Sequence, residues 1–243
     1  RAGWLAPLPS PFFVTPIKSS FSAGACRVDD AAGLRVALAD ARGRRGEYRR
    51  PLEAWLRSQT ELAPCARGLV AEELLVGHQV SIEGRVSRGR VEVLGILDAA
   101  FHGESLAFES FVYPSRLPRA VQDRMLALAE RLLSGLGYDD APWNLEMRWD
   151  EATDRITIFE LNAKLASQFV DLFDWVDGVS GWEVLLRTAL GWPLPTDRSG
   201  RYGAAGSFPL RRFADAHVLA VPPPEQVAGA LDDQIGRLYQ AYF

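Results

Sequence analysis

The stretch NLEMRWDEATDRITIFELNAK, residues 144–164, constrains the fold of this chain more than any other. It contains two runs, NLEMRW and ITIFELN, joined by the polar DEATD. Apolar and polar residues at a period of two mark strands, and a short polar link between two strands makes a hairpin. Alternation puts Asn144, Glu146 and Arg148 on one face of the first run, with Leu145, Met147 and Trp149 on the other. In the second run it groups Ile158, Glu160 and Asn162 against Thr157, Phe159 and Leu161. A turn symmetric about Thr153 sets Glu146 opposite Glu160 and Asn144 opposite Asn162, all on one face.

Like charges opposed across two strands destabilise the pair unless something neutralises them. A hard divalent cation does so, and Mg2+ commonly takes one or two carboxylates and completes its octahedron with water and substrate phosphates. Glu146, Glu160 and Asn162 are therefore the candidate metal ligands. Lys164 lies in the same tract, where its ammonium could reach a phosphate oxygen that the metal also binds. The same residues also fit two acids on the wet face of an ordinary hairpin, because a one-residue slip of register separates them.

Two further segments have chemistry that suits a nucleotide. TPIKSSFSAGA places Lys18 beside Ser19, Ser20 and Ser22 directly after an apolar strand, so hydroxyls, backbone N–H groups and one cation could meet phosphate oxygens. It lacks the Gly-x-x-x-x-Gly-Lys spacing of a P-loop, and a flexible surface turn is the alternative. In LVAEELLVGHQVSIEG, Glu72 and Glu73 could accept hydrogen bonds from an adenine amino group or ribose hydroxyls, while the backbone through Leu74 and Leu75 reads the base edge. Exposed acids are the plainer reading of that pair, as is a surface position for the nucleotide-site candidate Glu83.

The remaining pattern sets the class. Strand signals cover FFVTPI, a short run before Asp29, LVAEELLVG, HQVSIEGRVSRGR, VEVLGILDA, ESLAFESFVYPS and AAGSFPLRRF. Helix signals cover DDAAGLRVALADAR, RRPLEAWLRSQTEL, RAVQDRMLALAERLLSGLG and VSGWEVLLRTALGW. Strands grouped with intervening helices, with glycine turns at Gly77 and Gly89 between three consecutive strands, predict an α+β fold with antiparallel sheet. With 243 residues the chain can bury a substantial core. A net charge of -4 argues against a nucleic-acid partner, and the basic run ARGRRGEYRR reads as a solvated loop. Cys26 and Cys65 have neither zinc nor redox spacing. No apolar run reaches membrane-spanning length, and a cytoplasmic protein is expected.

Taken in order, FFVTPIKSSFSAGACRV, VAEELLVGHQVSIEG and NLEMRWDEATDRITIFELNAK resemble the ATP-grasp superfamily of ADP-forming ligases, whose closing pattern is an acid, a hairpin and Glu-x-Asn-x-Arg or Lys. The resemblance spans roughly Phe12 to Gly191. It implies two α+β subdomains with mostly antiparallel sheets enclosing a nucleotide site, the smaller over 12–75 and the larger over 76–243 with a C-terminal extension. It also implies ATP and Mg2+ as cofactors, with a small carboxylate and an amine, or a thiol, joined through an acyl phosphate; amino acids or peptides are one such substrate class. Lys164 would then be the catalytic cation and Arg148 would orient a carboxylate. The chain departs from the family at Thr15, where a lysine usually precedes the proline, and at Gln79, where an acid is common. The usual N-terminal α/β domain is expected to lie outside this sequence. A nucleotide-binding module without turnover and an α+β interaction domain are the competing readings, and the oligomeric state is left open.

Overall fold

The structure, a computed structural model, describes residues 10–17, 24–43, 53–59, 61, 69–103, 105, 107–209, 211, 213–214, 216–221 and 223. The chain forms two compact units, Arg1–Leu75 and Val76–Phe243. Lys18, Ser19, Ser20, Ser22, Cys65 and most of the basic run lie outside the described residues.

The first unit contains a three-stranded antiparallel sheet in the order β2-β1-β3, formed by β1 (Phe12–Pro16), β2 (Cys26–Val28) and β3 (Leu69–Glu73). Helix α1 (Ala31–Gly43) begins where Asp30 accepts hydrogen bonds from the N–H groups of Ala32 and Gly33 at 2.9 and 2.8 Å, which satisfies donors that a helix start leaves open. Leu34 and Ala37 pack with Val14 and Val28. A second helix, α2, covers 53–59. The expectation that three consecutive strands from residue 69 share one sheet is corrected here: β3 pairs with β1 instead, Val14 facing Ala71. Alternation identifies a strand but carries no information about its partner.

The second unit is built on a six-stranded sheet in the order β8-β7-β4-β5-β6-β9. Its strands are β4 (His78–Ser87), β5 (Arg90–Phe101), β6 (Phe108–Tyr113), β7 (Ala141–Asp150), β8 (Arg155–Asn162) and β9 (Ala205–Ser207), each antiparallel to its neighbours. Helix α3 (Arg119–Gly135) lays Val121, Met125, Ala129 and Leu133 on one face of the sheet, against Val80, Ile82, Trp143, Leu145 and Met147. The spacing of four in α3 follows one helical face, and the alternate residues of β4 and β7 supply the other half of the core. Helices α4 (Val170–Asp177) and α5 (Gly181–Ala189) take part in a second core, where Phe169, Phe173 and Val184 meet Leu97, Phe111 and Tyr113. Ser180 caps α5 by accepting from the N–H of Trp182. Among the described residues no helix is long and apolar enough to cross a membrane.

Strand β4 is the structural axis of this unit. Residues Gln79 to Val86 are all buried, and their alternation separates Val80, Ile82 and Val86 on the α3 side from Gln79, Ser81, Glu83 and Arg85 on the other. A buried polar row is costly unless each member finds partners. Those partners come from β7 and from the segments on that face.

Candidate active site

The β7–β8 hairpin sets Glu146 opposite Glu160 and Asn144 opposite Asn162. It reaches that register by a route other than a turn symmetric about Thr153. Near the turn Asp150 pairs with Arg155, Arg148 with Thr157 and Met147 with Ile158. The register then shifts between Glu146 and Met147, leaving Phe159 as the extra residue of a β-bulge. Without that residue's offset, Glu146 would face Phe159. The bulge also corrects the expected faces of the second strand. Ile158 pairs with Met147 and packs with the α3 core, whereas Glu160 and Asn162 join Glu146 and Asn144.

The loop end of the hairpin is held from outside. Ala152 N–H and Thr153 Oγ1 both donate to Asp150, and Trp149 Nε1 donates to Asp154 at 2.9 Å. Arg124 of α3 grips the same Asp154 carboxylate, and these bonds hold it well below the usual carboxylate range, at about 2.

On the polar face one chain of hydrogen bonds links β7 to β4. Arg148 donates to Gln79 Oε1 at 2.8 and 3.2 Å, and Gln79 Nε2 donates to Glu146 Oε2 at 2.7 Å. A guanidinium only donates and a carboxylate only accepts, so the Gln79 amide has one satisfactory orientation. The Arg148 guanidinium lies over the Phe101 ring, 5.3 Å from its centroid, and burial lowers its proton affinity. A second chain runs through the amides. Asn162 Nδ2 donates to Glu160 Oε1 at 3.0 Å and to Asn144 Oδ1 at 3.3 Å. Asn144 Nδ2 donates in turn to Ser81 Oγ at 2.6 Å and Glu83 Oε1 at 3.2 Å.

The electrostatics follow from this crowding. Burial, then the charge of Glu160, lifts the Glu146 carboxyl to about 7, against the lowering effects of Gln79, Lys164 and Arg148. Lys164 is exposed two residues beyond β8. The surface position weighed for Glu83 is corrected: it is 0 % exposed, its carboxyl is pushed by burial up to about 8, and it accepts the Ala166 N–H at 2.6 Å. Glu72 and Glu73 end β3 as exposed residues paired with Phe13 and Phe12, and Leu74 and Leu75 follow them, half-buried. They belong to the first unit, and the carboxylate pair belongs to the second. Gln79, Ser81 and Asn144 are contributors that sequence reasoning passed over as site residues. The signal for Gln79 and Ser81 was the strict alternation of polar residues along β4, and for Asn144 its place on the face of β7 that carries Glu146.

Among the described residues no three His, Cys, Asp or Glu side chains cluster as a metal site. The donors at the hairpin are instead two carboxylates and the amides beside them, an all-oxygen set of the kind that suits a hard cation.

Two antiparallel sheets with helices packed against them define an α+β class. A family model described as an ATP-grasp domain matches residues 8–170, and the chain belongs to the ATP-grasp family. No curated protein sequence matches it. Among solved structures, it is similar to an L-amino acid ligase from Bacillus licheniformis, with 21% identity and a TM-score of 0.65, covering 85% of this chain and 48% of that one. A biotin carboxylase from Campylobacter jejuni gives 15% identity and a TM-score of 0.61, covering 82% and 41%. The biotin carboxylase domain of Hydrogenobacter thermophilus 2-oxoglutarate carboxylase, solved with MgADP, gives 14% and 0.60, covering 82% and 41%. These likenesses establish the α+β ATP-grasp fold. The chain spans about half the length of the proteins it matches.

Proposed function

We propose that the chain is the nucleotide-handling part of an ATP-dependent, ADP-forming ligase that joins a small carboxylate to an amine through an acyl phosphate. The observation that carries this reading is the opposition of Glu146 and Glu160 beside Asn144 and Asn162 within an ATP-grasp fold. An ordinary hairpin gains nothing by facing two acids across its strands. Here a bulge brings them together, and two amides and a glutamine brace them.

Mg2+ fits the oxygen donors present, and Glu146, Glu160 and Asn162 would hold it, where it would draw phosphate oxygens together and offset their charge. This chain's own groups do the rest. Lys164, on the turn after β8, offers its ammonium to phosphate oxygens. Gln79 keeps a donor on Glu146 and so favours the ionised carboxylate that a cation needs. Arg148 acts through Gln79, fixing the amide orientation, and would orient a substrate carboxylate. Glu72 and Glu73 with the Leu74–Leu75 backbone would receive the nucleoside, and Lys18 with Ser19, Ser20 and Ser22 the phosphates. The substrate carboxylate attacks the γ-phosphorus, ADP leaves, and the amine then displaces phosphate from the acyl group. Such a reaction depends on positioning and charge neutralisation more than on a side-chain nucleophile.

The amino-acid ligase among the structural neighbours favours amino acids as a first substrate panel. The test is ADP release by the full-length protein with Mg–ATP and pairs of amino acids or small carboxylates. Release that requires both partners supports the reading. Binding of Mg–ATP with no release on any pair supports the alternative of a nucleotide-binding module, which Thr15 in place of the family's usual lysine favours.

A further inference from the structure

Glu83 is the one carboxylate on the polar face that is sealed from solvent, being 0 % exposed. Its Oε1 accepts from two places at once: Ala166 N–H at 2.6 Å and Asn144 Nδ2 at 3.2 Å. Its Oε2 is buried and finds no hydrogen-bond partner among the described residues. Removing a carboxylate from water is expensive, and an apolar side chain would fill the same space at less cost. A role beyond filling the core would account for the acid here.

The two bonds define that role. Ala166 lies two residues after Lys164 on the turn that leaves β8, and Leu165 between them is buried in the second core with Phe169. Asn144 is the amide that receives Asn162, which in turn donates to Glu160. Glu83 thus fastens both the main chain that carries Lys164 and the amide row beside the carboxylate pair. The Lys164 ammonium is near enough to favour ionisation of both Glu83 and Glu146.

We infer that Glu83 is a positioning residue: through the Ala166 N–H and Asn144 it sets where the Lys164 ammonium stands relative to Glu146 and Glu160, without touching the nucleotide itself. This inference rests on the proposed nucleotide site. It replaces the direct nucleotide contact expected for Glu83, which its burial in β4 disfavours.

The test uses the full chain, Mg–ATP as the probe and isothermal titration calorimetry as the readout, with the melting temperature of each ligand-free variant measured alongside. Glu83→Leu removes the acceptor and is expected to weaken Mg–ATP binding about tenfold, the low end of what outer partners of such sites contribute. Glu83→Gln keeps an oxygen for Ala166 and Asn144 and is expected to recover all but about threefold of the parent affinity. If Glu83 acts through Lys164, the Glu83→Leu effect disappears in a Lys164→Ala background, because coupled residues are non-additive. Should Glu83→Leu fail to fold, Glu83→Asp, whose shorter side chain withdraws the acceptor, takes its place in the same cycle with the same expected loss. Unchanged affinity in the folded acceptor variant, or a loss that multiplies with Lys164→Ala, overturns the inference while leaving nucleotide binding intact. No Mg–ATP binding by the parent chain overturns the nucleotide reading and this inference with it.

Discussion

Replacing Glu160 by Gln is expected to stabilise the ligand-free protein at pH 8. Glu146 and Glu160 are directly opposed, and opposed positions bring Cβ atoms to about 5 Å. Two unit charges at that distance repel by about 3 kcal/mol at an effective dielectric of 20, and by under about 1 kcal/mol in water. Glu160 is exposed, so the lower end applies, and relief of about 1 kcal/mol is the working figure. For a unit of this size that is about 2–4 °C in Tm. The substitution keeps Oε1 for the Asn162 hydrogen bond, so no donor is stranded. The sign depends on pH. Glu146 has its carboxyl lifted to about 7, so at pH 8 it is ionised opposite Glu160, whereas at pH 5.5 it is protonated and the repulsion is gone. Differential scanning fluorimetry of parent and variant at both pH values, in EDTA, should show the variant melting higher at pH 8 and level with the parent at pH 5.5. A variant that melts lower at pH 8 would refute the reasoning, because the opposed acids would then not strain the apo fold.

Substituting Gln79→Leu takes the donor from Glu146 and an acceptor from Arg148, and should cost about 1–3 kcal/mol in urea denaturation; an unchanged midpoint would contradict the linked chain. A Cβ at Gly84 would stand 2.3 Å from the Glu92 carbonyl oxygen and 2.5 Å from the Trp143 ring, so Gly84→Ala should cost about 1–3 kcal/mol by overpacking, visible as a lower Tm. Glu83 holds its proton up to about 8 in the folded protein, against an ordinary 4.5. The folded state therefore binds more protons than the unfolded one across that window, and stability present below 4.5 is lost as pH rises towards 8. Glu83→Gln cannot ionise, so its Tm should gain on the parent's between pH 5 and 8; parallel curves would show that Glu83 does not titrate as its burial implies.

How far the sequence discloses this arrangement differs from element to element. Long periodic segments were plain: α3 and the β4–β5 and β7–β8 hairpins follow from period alone. Helix α4 was not, because FVDLFDWVD is a short apolar run in which helix and strand spacing are hard to tell apart. The facing acids were legible as a pair, but the Phe159 bulge that aligns them was not, since no Gly or Pro marks it. The bulge is also why Ile158 turned to the core instead of sharing a face with Glu160. Gln79 looked like a mere departure from a family pattern. Only the neighbouring strand reveals that its amide spans Arg148 and Glu146, because such a bridge joins residues far apart in the chain. Glu83 followed the same logic: alternation assigned its face, and only the packing of the 165–169 segment decided that this face is covered.

The account turns on whether the facing carboxylates bind a cation together with a triphosphate. Calorimetric titration of ATP into the full chain, once with excess Mg2+ and once with EDTA, addresses this directly, with Glu160→Gln run in parallel. The account predicts that Mg2+ tightens ATP binding by the parent at least about tenfold and that the substitution removes this gain. Equal ATP affinity with Mg2+ and with EDTA, or a Mg2+ gain that survives in Glu160→Gln, would contradict it.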